Sequence, residues 1–174
     1  MGQIAELIVT AGRRPQKHAE NLLRDIRPEQ FARKPNVNGR IIDTNHAAFN
    51  FGHLALYPAR IVQLVGQDLD AVAVPAAWPG LFQAGTACSD DVAGNVYPPM
   101  AEISAAFFRG YEGALAAVAR ADEGIFARPT PEERYRTMFP TIGAAVLMLL
   151  NNHVMGHLGQ VSTWRRCMGL GPAV

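Results

Sequence analysis

Two of the chain's five histidines, His153 and His157, sit four residues apart inside an apolar stretch that runs from Ile142 to Met168. On an α-helix this spacing puts both imidazoles on one face, about one turn apart. Two such nitrogens can close on one first-row metal ion. Two ligands rarely hold an ion alone, so a third must come from elsewhere. His18 lies among Arg13, Arg14 and Lys17 and reads as a surface residue. His46 and His53 fall on a second apolar helix, seven residues apart. They point the same way there but stand ~10 Å apart along the axis, which speaks against their binding one ion together. Spacing alone does not choose between them. Asn50 and Tyr57, three residues before and four after His53, give that position a polar stripe and favour it.

The chemistry open to such a site is bounded by what is missing. Val154 follows His153, so the glutamate of a zincin motif is absent, and no Asp or Glu lies between Thr141 and Val174. A metal here would act as a Lewis acid, or would lower the pKa of a bound water or thiol. A neutral three-histidine set accepts zinc, nickel or iron(II). The competing interpretation makes His153 and His157 ordinary core histidines bonded to neighbouring helices. Each buried ring nitrogen then needs a partner, and Leu149, Leu150, Val154 and Leu158 supply none. Gly156 and Gly159 are costly inside a helix and suggest the close approach of another helix or a ligand. Nothing orients Ser162 or Thr163 as a nucleophile. Trp164-Arg165-Arg166 reads as charge matched to a helix C-terminus, and Cys88 as an ordinary thiol.

Four helices must position these side chains. Ile4, Leu7, Ile8, Leu22, Leu23 and Ile26 recur at helical spacing and predict a first helix over ~3–26, interrupted or kinked at Pro15. Pro28 to Gly39 is a linker. Asp43 or Thr44 is a plausible N-cap for a second helix ending near Gly66, bent by Pro58. Residues ~67–98 are punctuated by prolines and glycines and read as a long irregular connection. A third helix follows from about Pro99 to Ala121, and a fourth covers ~141–168 before Gly169. No stretch alternates as a strand. The expectation is all-α, a four-helix bundle with a long crossover loop, in one domain over 1–174. Its core includes Leu7, Phe49, Leu56, Phe107, Leu115, Val146 and Leu150.

Composition narrows the partners. With 174 residues and 49% hydrophobic content there is chain enough for a real core. Lys+Arg 16 against Asp+Glu 15 leaves no basic stripe for nucleic acid. The strongest apolar run, Ile142 to Leu150, is too short for a bilayer, which takes about 20 residues. Two isolated cysteines and no signal-peptide pattern fit a reducing, cytoplasmic setting.

The run from His153 to Gln160, followed by Arg165 and a terminal Gly169-Leu170-Gly171-Pro172, resembles the last helix of the DinB-like (DinB/YfiT-like) superfamily. Asn45 to Leu54, with its Gly52-His53-Leu54, resembles that family's second helix. The resemblance implies a metal triad of His53, His153 and His157 and leaves the role of His46 open. It implies a bundle with a crossover, commonly a homodimer, and activities that include thiol-dependent S-transfer, isomerisation and metal-dependent hydrolysis. The expected function is therefore a metal-dependent enzyme activating a thiol or water, with a divalent metal and possibly a low-molecular-weight thiol. His46, Asn50, Tyr57 and Gln160 are expected to line its small-molecule pocket. The alternative is a non-catalytic dimeric bundle that binds small molecules or serves in stress. Proton competition for the imidazoles should weaken metal binding below about pH 6.

Overall fold

The structure is a computed structural model that describes residues 1–173, and its fold class is all-α. Strand pairing among the described residues is confined to a short hairpin of β1 (Asn36–Val37) and β2 (Arg40–Ile41), with an isolated bridge between Pro129 and Thr141. No helix among the described residues is long and apolar enough to cross a membrane.

Helix α1 (Gln3–Leu23) runs through Pro15 without a break. It buries Ala5, Ile8, Val9, Gly12, Pro15, Ala19 and Leu22. Periodicity assigns Leu7 to the core, but it is 66% exposed. The helix turns its small residues inward instead: a Cβ at Gly12 would stand 2.8 Å from Leu115 Cδ2. That close approach rotates the Ile4–Leu7 stripe outward. The helix ends without a glycine. Asp25 takes the left-handed conformation (φ 62°), and the fully buried Arg165 donates to the carbonyls of Leu22, at 2.7 Å, and Arg24.

The second predicted helix is two, α2 (Ala47–Ala55) and α3 (Tyr57–Leu64), separated at Leu56. Pro58 enforces the break, since its ring would collide with the Leu54 carbonyl in a continuous helix. The N-cap is neither Asp43 nor Thr44 but His46, whose Nδ1 accepts the Phe49 N–H at 3.1 Å. An imidazole nitrogen thereby does the work of a capping oxygen. Every residue of α2 is buried, against α5 (Met100–Arg120) and the C-terminal helix.

The last predicted helix is interrupted. Thr141 caps α6 (Ile142–Leu147), residues Met148–Asn152 form a π turn, and α7 (His153–Cys167) follows. The His153 N–H reaches five residues back to Met148 O. One extra residue in the turn swings all that follows by about 100° relative to an unbroken α-helix, which sets the face that α7 offers to α2. Trp164 then anchors α7 by donating to Arg33 O at 2.8 Å.

The connection after α3 carries its own structure, including the short helix α4 (Trp78–Phe82) against α2. Its far end is pinned by Asp91, which accepts from the N–H groups of Asn95, Val96 and Tyr97. In the core, Phe49, Phe107, Leu115, Val146 and Leu150 are buried, while Leu56 is half-buried.

Candidate metal centre

His53 projects from α2, and His153 and His157 from the first turns of α7. One ring nitrogen of each lies within 4.8 Å of the others. Ring centroids are 5.4 Å apart for His53 and His153, 4.6 Å for His53 and His157, and 4.8 Å for His153 and His157. A tetrahedral ion at ~2.0–2.1 Å from each nitrogen needs them ~3.3 Å apart, so small side-chain rotations close the set.

Hydrogen bonds behind the rings choose the nitrogens. His53 Nδ1 lies 2.7 Å from Phe82 O, and a carbonyl only accepts, so Nδ1 carries the proton. His157 Nδ1 stands 2.8 Å from Asn50 Oδ1. The Asn50 amide is oriented by its other end, where Nδ2 donates to the carbonyls of Asn45 and His46, each at 3.2 Å. Both histidines are therefore left with a lone pair on Nε2, the arrangement that outer partners impose on metal-bound imidazoles. His153 has a buried Nδ1 with no hydrogen-bond partner among the described residues. An orphaned imidazole nitrogen beside two aimed lone pairs fits a cation.

Electrostatics agree. Burial pushes His153 and His157 down to about 4, with the neighbouring imidazoles adding to it. Burial also lowers His53, partly opposed by its bond to Phe82 O. All three are neutral near pH 7, which is the ligating form. Three neutral donors would leave the full charge of a divalent ion uncompensated.

The other expected pocket residues divide. Tyr57 packs on both rings, 5.0 Å from His53 and 4.2 Å from His153 between centroids. Asn50 supports His157 from behind. His46 does not join them. Seven-residue spacing aligns two side chains only on one continuous helix, and His46 precedes α2 with extended backbone (φ −78°, ψ 172°). It is wholly buried, lies 2.9 Å from Ser89 O through Nε2 and meets the Tyr97 ring edge-on. Its job is to pin the long connection to the start of α2. Gln160 is exposed and accepts from Asn45 Nδ2 at 3.2 Å, so it too stands outside the cavity.

That cavity, of about 560 Å³, opens beside His153. Its wall includes Tyr57, Arg60, Glu132, Arg134, Tyr135 and Phe139. Sequence reasoning passed over all but Tyr57. Arg60 carried a signal, being three residues after Tyr57 and so on the same side of α3. Glu132, Arg134 and Tyr135 come from the segment before α6, which is folded back by the Thr130 hydroxyl donating to Phe139 O and by Arg136 donating to Thr130 O. Only the tertiary structure brings them here. Glu132 is ion-paired with Arg60, so a carboxylate does reach the cavity, although none lies on the histidines' own helix.

Comparison with family models, with curated proteins and with solved structures gives no match.

Proposed function

We propose that the protein is a metal-dependent enzyme of the DinB-like type, in which His53, His153 and His157 hold a divalent zinc, nickel or iron ion. The observation that carries this reading is the convergence of three neutral imidazoles, two with their outer nitrogens committed to fixed acceptors, at the edge of a cavity of about 560 Å³. Sites for small molecules commonly enclose ~300–1,000 Å³, so the volume suits a substrate rather than a solvent gap. Bound there, the ion would lower the pKa of a thiol or water and so supply a nucleophile at neutral pH. A low-molecular-weight thiol is the favoured co-substrate, with S-transfer or isomerisation the reaction and hydrolysis the second choice.

The chain's own residues have definable parts in this scheme. Phe82 O and Asn50 Oδ1 hold two rings in the ligating tautomer. Tyr57, packed on His53 and His153, would wall the ion from one side and lines the cavity beside it. The reading extends to architecture: α1, the α2–α3 pair, α5 and the α6–α7 pair are taken as the four members of a bundle, with residues 65–99 as its crossover. It further takes the active form as a cytoplasmic homodimer.

The test is elemental analysis of tag-free protein, read with anomalous scattering at the histidines and with His153→Ala beside it. One ion per chain, lost in His153→Ala while the far-ultraviolet circular dichroism is kept, is the expected result. A core of this size does not need metal to fold as a zinc finger does. No bound ion would leave a non-catalytic bundle. Cooperative unfolding on chelation would make the site structural.

A further inference from the structure

The cavity wall is charged in a way that the metal reading does not use. Its lining includes Arg60, Arg134 and Glu132, two guanidiniums against one carboxylate, so the wall carries a net +1. The two arginines are not equivalent. Arg60 is occupied, its Nη2 on Glu132 and its Nη1 on Gln63 Oε1 at 2.9 Å. Arg134 has no ion pair among the described residues. Its guanidinium carbon lies over the Tyr135 ring, 4.6 Å from the centroid, a contact that uses none of its N–H donors in a hydrogen bond. The rest of the lining is largely apolar, with Leu56, Leu64, Phe139, Met148 and Leu149. A planar fork of donors, on an apolar wall with one unmatched positive charge, is suited to a single carboxylate on a small organic body.

We infer that the cavity takes a small molecule bearing a carboxylate, which Arg134 holds while the molecule's reacting end lies at the histidines. This rests on the metal reading only for what happens at the second end. Tyr135 is the platform that orients the guanidinium, and the Arg60–Glu132 pair fixes the wall against which the ligand's body packs. A neutral ligand of the same shape would leave the guanidinium without a counter-charge and gain nothing from it. The neutral imidazoles do not offset the positive field, and a bound divalent ion would add to it.

The test separates the two ends. The full chain is loaded with Co²⁺ and titrated with 3-mercaptopropionate and, in parallel, with 3-mercaptopropionamide, following thiolate-to-cobalt absorption. The acid should bind at least tenfold more tightly than the amide, and Arg134→Gln should bring that ratio to about one. Arg134 is exposed, so the variant should fold. Equal affinities in the unaltered protein, or a preference that survives Arg134→Gln, would overturn the inference. If neither thiol gives a thiolate-to-cobalt band, thiol activation at the metal fails by itself. The anion site is then read calorimetrically on metal-free protein with butyrate against butyramide. Binding of butyrate that Arg134→Gln abolishes would sustain it, and no difference between the two probes would end it.

Discussion

His157 Nδ1 and Asn50 Oδ1 lie 2.8 Å apart across the α7–α2 contact, and this bond decides which nitrogen of His157 is free. The Asn50 amide cannot turn over without setting its oxygen against the Asn45 and His46 carbonyls, which only accept. Asn50→Leu should therefore release the ring and cost roughly 10–100-fold in Zn²⁺ affinity. The lost bonds to the Asn45 and His46 carbonyls should also take about 1–3 kcal/mol from stability. Competition against a chromogenic chelator reads the first effect and urea unfolding the second. Unchanged affinity would show that Asn50 does not set the tautomer.

Gly52 is the next test of how His53 is held. A Cβ there would sit 2.4 Å from the Phe82 ring, and the Phe82 carbonyl is what fixes His53. In an open helix Gly→Ala gains about 1 kcal/mol. Here the ring must move, and overpacking of this kind costs about 1–3 kcal/mol. Gly52→Ala should lower both the melting temperature and the metal affinity, because displacing Phe82 displaces its carbonyl. A variant more stable than the parent would mean that α4 gives way freely.

The histidine triad was legible because each half of it is local. His153 and His157 belong to one helix by their spacing, the Asn50/Tyr57 stripe favours His53, and the DinB-like resemblance implies the three as a set. The rest required knowing where helices begin and break. Spacing alone does not separate His46 from His53; the start of the helix at Ala47, which leaves His46 outside it, does. Leu7 fitted the apolar stripe of α1, yet the close approach of α5 at Gly12 chose the neighbouring face. The π turn before His153, Met148–Asn152, holds no glycine or proline that would announce it. The Arg134–Tyr135 wall was hidden because it belongs to a segment with no regular pattern of its own.

Gly156 and Gly159 suggest a close neighbour, and among the described residues there is none: a Cβ at either would meet nothing within 4 Å. Gly156→Ala should therefore add about 0.5–1 kcal/mol from helix propensity alone. Thermal unfolding and sedimentation, run together, read the outcome. A loss of stability accompanied by dissociation would place a second copy of the chain on this face of α7.

Acid should weaken the metal-free protein in a definite window. His46, His153 and His157 are each lowered to about 4, chiefly by burial, and His53 is lowered as well. Unfolded histidines titrate near 6.5, so between about pH 6.5 and 4 the unfolded chain binds more protons than the folded one. Stability is thus complete above that window and falls as pH drops through it. Wholly buried His46 accounts for on the order of 3 kcal/mol of this, while screening reduces the share of the half-exposed His153 and His157. Urea midpoints at pH 7 and 4.5 measure the drop. His46→Asn keeps a capping side chain but cannot titrate, so its midpoint should depend less on pH than the parent's. The same shift moves proton competition for Zn²⁺ from the pH 6 suggested by free imidazole to about pH 5 or below. A parent protein equally stable at both pH values, with Zn²⁺ lost already at pH 6, would mean that these rings are far more hydrated than their burial implies.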